Sequence, residues 1–415
     1  VPLLLSIALI LLVLPLGLQS EARPSYSSPS KTTYQNKLTR LYVDGNAIRS
    51  ETGLIFIVGC NVRGQAYNPK TDGRYDDWYT YRIRDADNIK SYGFNVIRLL
   101  TYWECIETSK SPSEFSYSST YIDLIRKTVE AYNDKGVYVY IDLHQHSSVN
   151  SLAKFVPTLG KDTDFADAFY SDTSTTSARE HLKRLWLRMS ETFKNYSGVA
   201  GYGICNEPHH SSGSLNNQQV ADYWFDIADY VIAALRAAGD NHIAFVNFSP
   251  WARSTEFMSR RLKDNNVVYD CHFYYGINTA NLSVSNNDRT WLKQQFDTYV
   301  HPNLLKFNVP FIGGEQGFGS NQIEKGDARD VWLRNALSIL KTSSLMRGWL
   351  YFCYIAYGGV ISGGGWQRTL LEFSSTTTKG LDITTASSMT LGLTIAIRET
   401  LPRKLLSSSF KLQIL

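Results

Sequence analysis

The chain has 415 residues, 43% of them hydrophobic and 19% charged, with a net charge of +4 from 42 basic and 38 acidic side chains. That balance permits one large buried core and shows no basic run of the length a nucleic-acid groove needs, so no nucleic-acid partner is expected. The five cysteines, Cys60, Cys105, Cys205, Cys271 and Cys353, form no CxxC pair; a zinc or thioredoxin-like site is unsupported, and any disulfide pairing stays open.

In chain order, residues 1–20 come first. They are apolar, without a basic leading region or an initiating methionine, and broken by Pro2, Pro15 and Gly17. They read as a secretory signal core, or as an N-terminal anchor that would bring membrane contact if retained. Residues 21–37 are rich in Ser, Pro and Tyr and read as a linker. Export to the outside of the cell suits a protein whose partner is too large to enter one.

From there to about residue 400 the pattern alternates between short apolar runs and long amphipathic segments, which predicts parallel strands covered by helices. Eight strands are expected, at 54–60, 94–99, 137–143, 200–205, 242–248, 267–273, 310–315 and 347–353. Helices are expected at 76–91, 118–134, 177–196, 217–237, 290–300 and 328–342, with a shorter helical segment before the sixth strand. Eight such units predict a single (β/α)8 barrel over 38–400. The Thr-rich apolar stretch 380–397 reads as the closure of the last unit, and 401–415 as a basic, apolar tail. An insertion at 147–176 after strand three reads as one wall of a cleft, or as a lid.

Chemistry in such a barrel sits at the C-terminal ends of the strands. Strand two carries Arg98. Strand three ends in Asp142, His144, Gln145 and His146, and strand four in Asn206 and Glu207. Strand six ends in His272 and Tyr274, strand seven in Glu315, and strand eight carries Trp349. Glu207 and Glu315 close strands on roughly opposite sides of the mouth, where two carboxyls can flank a scissile glycosidic bond. Each alone would read as a loop carboxylate; the pair within this polar ring is a catalytic candidate. Trp103, Trp251 and Trp366 fall in or near loops of the same face and can stack on sugar rings, or serve as loop packing. Gly358–Gly359 and Gly363–Gly365 suggest a tightly turned or mobile loop after strand eight.

The segments GFNVIRL (93–99), YIDLHQH (140–146), ICNEPH (204–209), CHFYYG (271–276), FIGGEQGFG (311–319) and RGWLYFCY (347–354) follow one another in an order that resembles glycoside hydrolase family 5, the cellulase and mannanase family. The resemblance implies a retaining hydrolase on a (β/α)8 barrel that needs no metal or cofactor. It implies Glu207 as general acid/base and Glu315 as nucleophile. Asn206 would bond the sugar 2-hydroxyl, Arg98 would lie beneath the nucleophile, and Tyr274 would orient it. His144, His272 and Tyr274 would wall the cleaved sugar, and Trp349 would underlie it; Asp142, two residues before His144 and so facing the same layer, reads from its position as a supporting partner rather than a catalyst. His146 and the pair His209–His210 are not general family features and could shape a subsite. The implied partner is a polysaccharide or oligosaccharide, foremost a β-1,4-glucan cut internally; a β-mannan or a glycolipid remains open.

Overall fold

The computed structural model describes residues 38–63, 85–144, 165–210, 213–278, 283–318, 326–356 and 359–360. Eight parallel strands close into a barrel: β1 (Ile57–Arg63), β2 (Val96–Thr101), β3 (Tyr138–Leu143), β4 (Val199–Gly203), β5 (Ile243–Asn247), β6 (Val267–His272), β7 (Phe311–Gln316) and β8 (Met346–Tyr351). The strands are almost wholly buried because both faces are covered, one by the barrel interior and one by helices. Each strand was expected close to where it lies. The first starts three residues later than expected. Leu54 and Ile55 instead belong to Gly53–Ile55, the last strand of a small antiparallel sheet with Tyr42–Asp44 and Ala47–Ser50.

The surrounding helices are α1 (Ser119–Asp134), α2 (Phe165–Ser171), α3 (Ala178–Phe193), α4 (Asn217–Ala237), α5 (Arg289–Gln295), α6 (His301–Phe307) and α7 (Ala328–Leu340). Side-chain caps fix their starts. Ser118 accepts from Tyr121 N–H, Asn216 and Gln219 form a reciprocal capping box, and Asp327 accepts from two amides of the first turn of α7. A π-helical turn, Phe296–Val300, joins α5 to α6, so the helix expected at 290–300 is α5 and this turn, and the helical path runs on through α6 to Phe307. The short helix expected between β5 and β6 is absent: residues 248–266 run as turns and bends. The stretch 380–397, the tail and the segments before residue 38 lie outside the described residues. No helix among the described residues is long and apolar enough to cross a membrane. None of the five cysteines joins another, and all five are buried.

Period-two alternation sorts each strand between two apolar cores. The inner core takes side chains from all eight strands: Ile57, Val96, Tyr138 and Tyr140, Ala200, Ile243 and Phe245, Val268, Ile312, and Leu350. Leu41 and Ile48 join it from the small sheet region. The outer core lies between barrel and helices and includes Trp186, Trp224, Trp332 and Trp349. Followed toward the strand ends, the inward positions turn from apolar to polar: Val96 gives way to Arg98, Tyr140 to Asp142, and Val268 to Asp270 and His272. This polar upper half is the floor of the site.

Candidate active site

Arg98 is fully buried and is the hub of that floor. Its Nη1 donates to Glu315 Oε1 at 2.5 Å and to Asn61 Oδ1 at 2.9 Å. Its Nη2 donates to Asn206 Oδ1 at 2.6 Å and lies 2.9 Å from Asp142 Oδ1. Burial works against the guanidinium charge, but Asp142, Tyr140, Glu315 and Asp270 outweigh it and hold the Arg98 pKa well above its ordinary value. A planar fork with five donors suits this crowding of acceptors.

Glu315 stands opposite His272 in the β6–β7 ladder, just after a register shift that follows Gly313. The second oxygen of Glu315 accepts from Tyr274 OH at 3.2 Å. Tyr274 is buried, and burial together with Glu315 and Glu207 pushes its phenol well above the usual range, so it remains a donor at neutral pH. Asp142 also holds His144, whose Nδ1 lies 3.0 Å from Asp142 Oδ2 and 3.9 Å from Glu315 Oε1.

Glu207 follows β4 with φ of 46°, a left-handed conformation that is strained for a residue with a Cβ. The strain is held in place from several sides. Asn247 Oδ1 accepts from Glu207 N–H at 2.9 Å, and His209 Nδ1 lies 2.7 Å from the Glu207 carbonyl. His272 Nδ1 lies 2.7 Å from Glu207 Oε1 and 3.6 Å from Glu315 Oε2. Burial opposes protonation of His272, but Glu315 and Glu207 outweigh it, and its pKa is raised from the ordinary imidazole value.

Ligand-type atoms of Glu207, His272 and Glu315 all lie within 4.8 Å of one another. Geometrically the three could face one ion. Yet both oxygens of Glu315 already accept from Arg98 and Tyr274, and His272 is engaged by Glu207. The set therefore reads as a hydrogen-bonded pair of carboxyls held by Arg98, Tyr274 and His272 rather than as a metal clamp.

The structure thus gathers Arg98, His144, Asn206, Glu207, His272, Tyr274 and Glu315. Two expected sugar platforms are corrected. Trp103 is fully buried in the outer core, with its Nε1 donating to Glu107 Oε2 at 2.6 Å. Trp349 is also fully buried, because its parity on β8 is outward; its ring meets Phe94 edge-on in the outer core. On β8 the inner core takes Leu350, and Phe352 shares its parity just past the strand while packing beside the outer core. Phe352 is partly exposed and its ring stacks on His144 at 6.2 Å. Sequence reading missed it, although counting by twos from Leu350 would have found it. Trp251 is half-buried and stacks on His209 beside the Glu207 loop. His146 and Trp366 lie outside the described residues, as does the glycine-rich stretch at 363–365.

The insertion after β3 is described from Phe165. Tyr170 on α2 donates to the His209 carbonyl at 2.9 Å, and Asp167 accepts from the Ser214 amide at 2.9 Å. Helix α2 therefore braces the segment that follows Glu207.

A sequence model of the cellulase family, glycosyl hydrolase family 5, matches residues 59–357. The chain belongs to glycosyl hydrolase family 5. An endoglucanase of Clostridium saccharobutylicum is 27% identical over 253 residues, which make up 59% of this chain and 48% of that protein. The chain spans about half the length, or less, of curated relatives it matches. Among solved structures, an endogalactoceramidase shares the fold with a TM-score of 0.58 at 21% identity, over 76% of this chain and 75% of the other. The endoglucanase XacCel5A in complex with cellopentaose shares it with a TM-score of 0.57 at 20% identity, over 77% and 99%. Family 5 membership accounts for the ordered segments along the strands, and these likenesses agree with the closed barrel.

Proposed function

We propose that this family 5 chain is a retaining endo-β-1,4-glucanase in which Glu315 is the nucleophile and Glu207 the general acid/base. The observation that carries the reading is the close approach of the two carboxylates, whose facing oxygens lie within 4.8 Å. Facing oxygens this close favour the roughly 5–5.5 Å between carboxyl groups of retaining enzymes over the roughly 6.5–9.5 Å that leaves room for water in inverting ones.

The chemistry runs in two displacements. A Glu315 oxygen bonds to the anomeric carbon as the glycosidic C–O bond breaks, and the Glu207 proton goes to the departing oxygen. Water then attacks the glycosyl ester, gives a proton to Glu207, and releases Glu315 as carboxylate. Arg98 and Tyr274 hold Glu315 in line; Asn206 is set by Arg98 to receive the 2-hydroxyl. His144, Phe352 and Trp251 supply walls for the sugar rings, with Phe352 in the role first expected of Trp349.

The glucan preference is supported by the endoglucanases among the relatives. Cleavage of a sugar from a lipid is the second reading, prompted by the fold shared with endogalactoceramidase. Export of the protein suits a polymeric substrate and the apolar residues 1–18. The test is a product profile. Soluble cellulose, β-mannan and a glycosphingolipid are offered side by side, with Glu315→Gln as blank. Rapid scattered release of cello-oligosaccharides is expected. Preferential cleavage of mannan or of the glycolipid would move the substrate while keeping both glutamates.

A further inference from the structure

Beneath the two glutamates lies a third carboxyl that this chemistry leaves unused. Asp270 sits on β6 two residues before His272, so both side chains point into the barrel. It is fully buried. Its Oδ2 accepts from Tyr140 OH at 2.8 Å and stands 3.8 Å from Arg98 Nε. Its Oδ1 has no hydrogen-bond donor and stands 3.8 Å from His272 Nε2. Gly314 makes the room: a Cβ there would come within 1.8 Å of Asp270 Oδ1.

Asp270 and Asn247 make opposite demands on His272 Nε2. The Asn247 amide is locked, with Oδ1 accepting from Glu207 N–H and Nδ2 donating to the Asp270 carbonyl at 3.0 Å. That leaves Nδ2 3.4 Å from His272 Nε2. A neutral amide N–H at that distance favours a bare Nε2. A carboxylate at 3.8 Å favours a proton on it. In a buried, low-dielectric site, charge outweighs a long neutral contact.

We propose that Asp270 is a positioning residue that keeps a proton on His272 Nε2, so that Nδ1 and Glu207 Oε1 hold between them the proton that leaves with the departing sugar. The idea rests on Glu207 being the acid/base. With Nε2 protonated, the Nδ1 lone pair accepts from the Glu207 O–H. That O–H bond then breaks as the bond to the departing oxygen forms. With Nε2 bare, the ring proton sits on Nδ1 and is donated to an ionised Glu207, which has no proton to give. The groups facing Asp270 are Arg98 on β2, Tyr140 and Asp142 on β3, and His272 on its own strand. Burial raises the Asp270 pKa; His272, Arg98 and Tyr140 work against that rise, and Asp142 adds to it.

The first test needs no turnover. The full chain is labelled with nitrogen-15 in histidine, and the His272 ring signals are identified by their loss in His272→Gln. Nε2 should bear a proton across the pH range of activity. A native His272 protonated at Nδ1 alone overturns the proposal and leaves Asn247 in control of the ring, whether or not Asp270→Asn folds. The second test is Asp270→Asn. It should lower kcat/KM on cello-oligosaccharides about tenfold, since general acid help is partly lost. On dinitrophenyl β-cellobioside, whose leaving group needs no proton, the change should stay below about twofold on the same reasoning. Equal losses on both substrates overturn the proposal. If the native protein turns over neither substrate, the glucanase reading falls, and the nitrogen measurement alone decides what Asp270 does to His272.

Discussion

Glu315 and Glu207 stand within 4.8 Å of each other, yet their neighbours differ in kind. Glu315 touches a guanidinium, which stays charged, and a phenol held neutral by burial. Glu207 touches an imidazole, whose charge can change, and rests on a strained backbone. A nucleophile needs one state, the carboxylate, until it is esterified. An acid/base must lose and regain a proton in every turnover. A fixed cation suits the first task and a titratable partner suits the second.

The comparison is broken most severely by Glu315→Gln. Loss of turnover should be on the order of 10⁴ or more, while titration calorimetry should still register oligosaccharide binding. Retained activity would sink the nucleophile assignment. Glu207→Gln should cost about 10²–10⁴ in kcat/KM on unactivated oligosaccharides and spare an activated aryl glycoside. If that variant loses both substrates alike, the two glutamates do not have separate roles.

Smaller changes sharpen the picture. Phe352→Ala should raise KM about two- to twelvefold, which corresponds to roughly 0.5–1.5 kcal/mol of lost aromatic contact. Trp349→Phe should leave KM unchanged and lower the melting temperature. The reverse pattern would restore Trp349 as the platform. The smallest effect concerns another imidazole–carboxylate pair, outside the group gathered around Glu207 and Glu315. His181 Nδ1 lies 2.5 Å from Glu107 Oε1 and Nε2 lies 3.0 Å from the Pro112 carbonyl. Burial opposes its charge, but these acceptors override it and raise its pKa above the ordinary imidazole value. Its contribution to stability is therefore full below about pH 6.5, the unfolded value. It is lost as pH rises through the raised folded value. Melting temperature should decline over that window in the native chain, and less so in His181→Gln.

The barrel was readable from sequence because buried parallel strands are apolar runs, and eight of them recur at helix-length spacing. Polar residues at the ends of those runs pointed to the candidate site for the same reason: Arg98, Asp142 and His272 are costly in an apolar core unless they are paired, and the structure brings them together. What stayed hidden was direction. Trp349 sits one residue from an inward position, and a tryptophan in a strand looks the same from sequence on either face. Asp270 was passed over although it shares parity with His272, because its neighbours Tyr140, Arg98 and Gly314 come from three other strands. Trp103 depended on Glu107 one helical turn away, whose burial nothing local announces. The missing helix between β5 and β6 is an error of rhythm: the alternating pattern implied one, and Pro250 with the polar run 263–266 did not correct it.

The bracing by α2 joins two things usually altered separately. This helix belongs to an insertion, the sort of segment exchanged to change which molecule an enzyme accepts, yet Tyr170 and Asp167 grip the stretch that carries the Glu207 backbone into its strained turn. Transplanting a foreign segment here would also disturb the turn that sets Glu207, so under the proposed roles a change made for selectivity would alter speed as well.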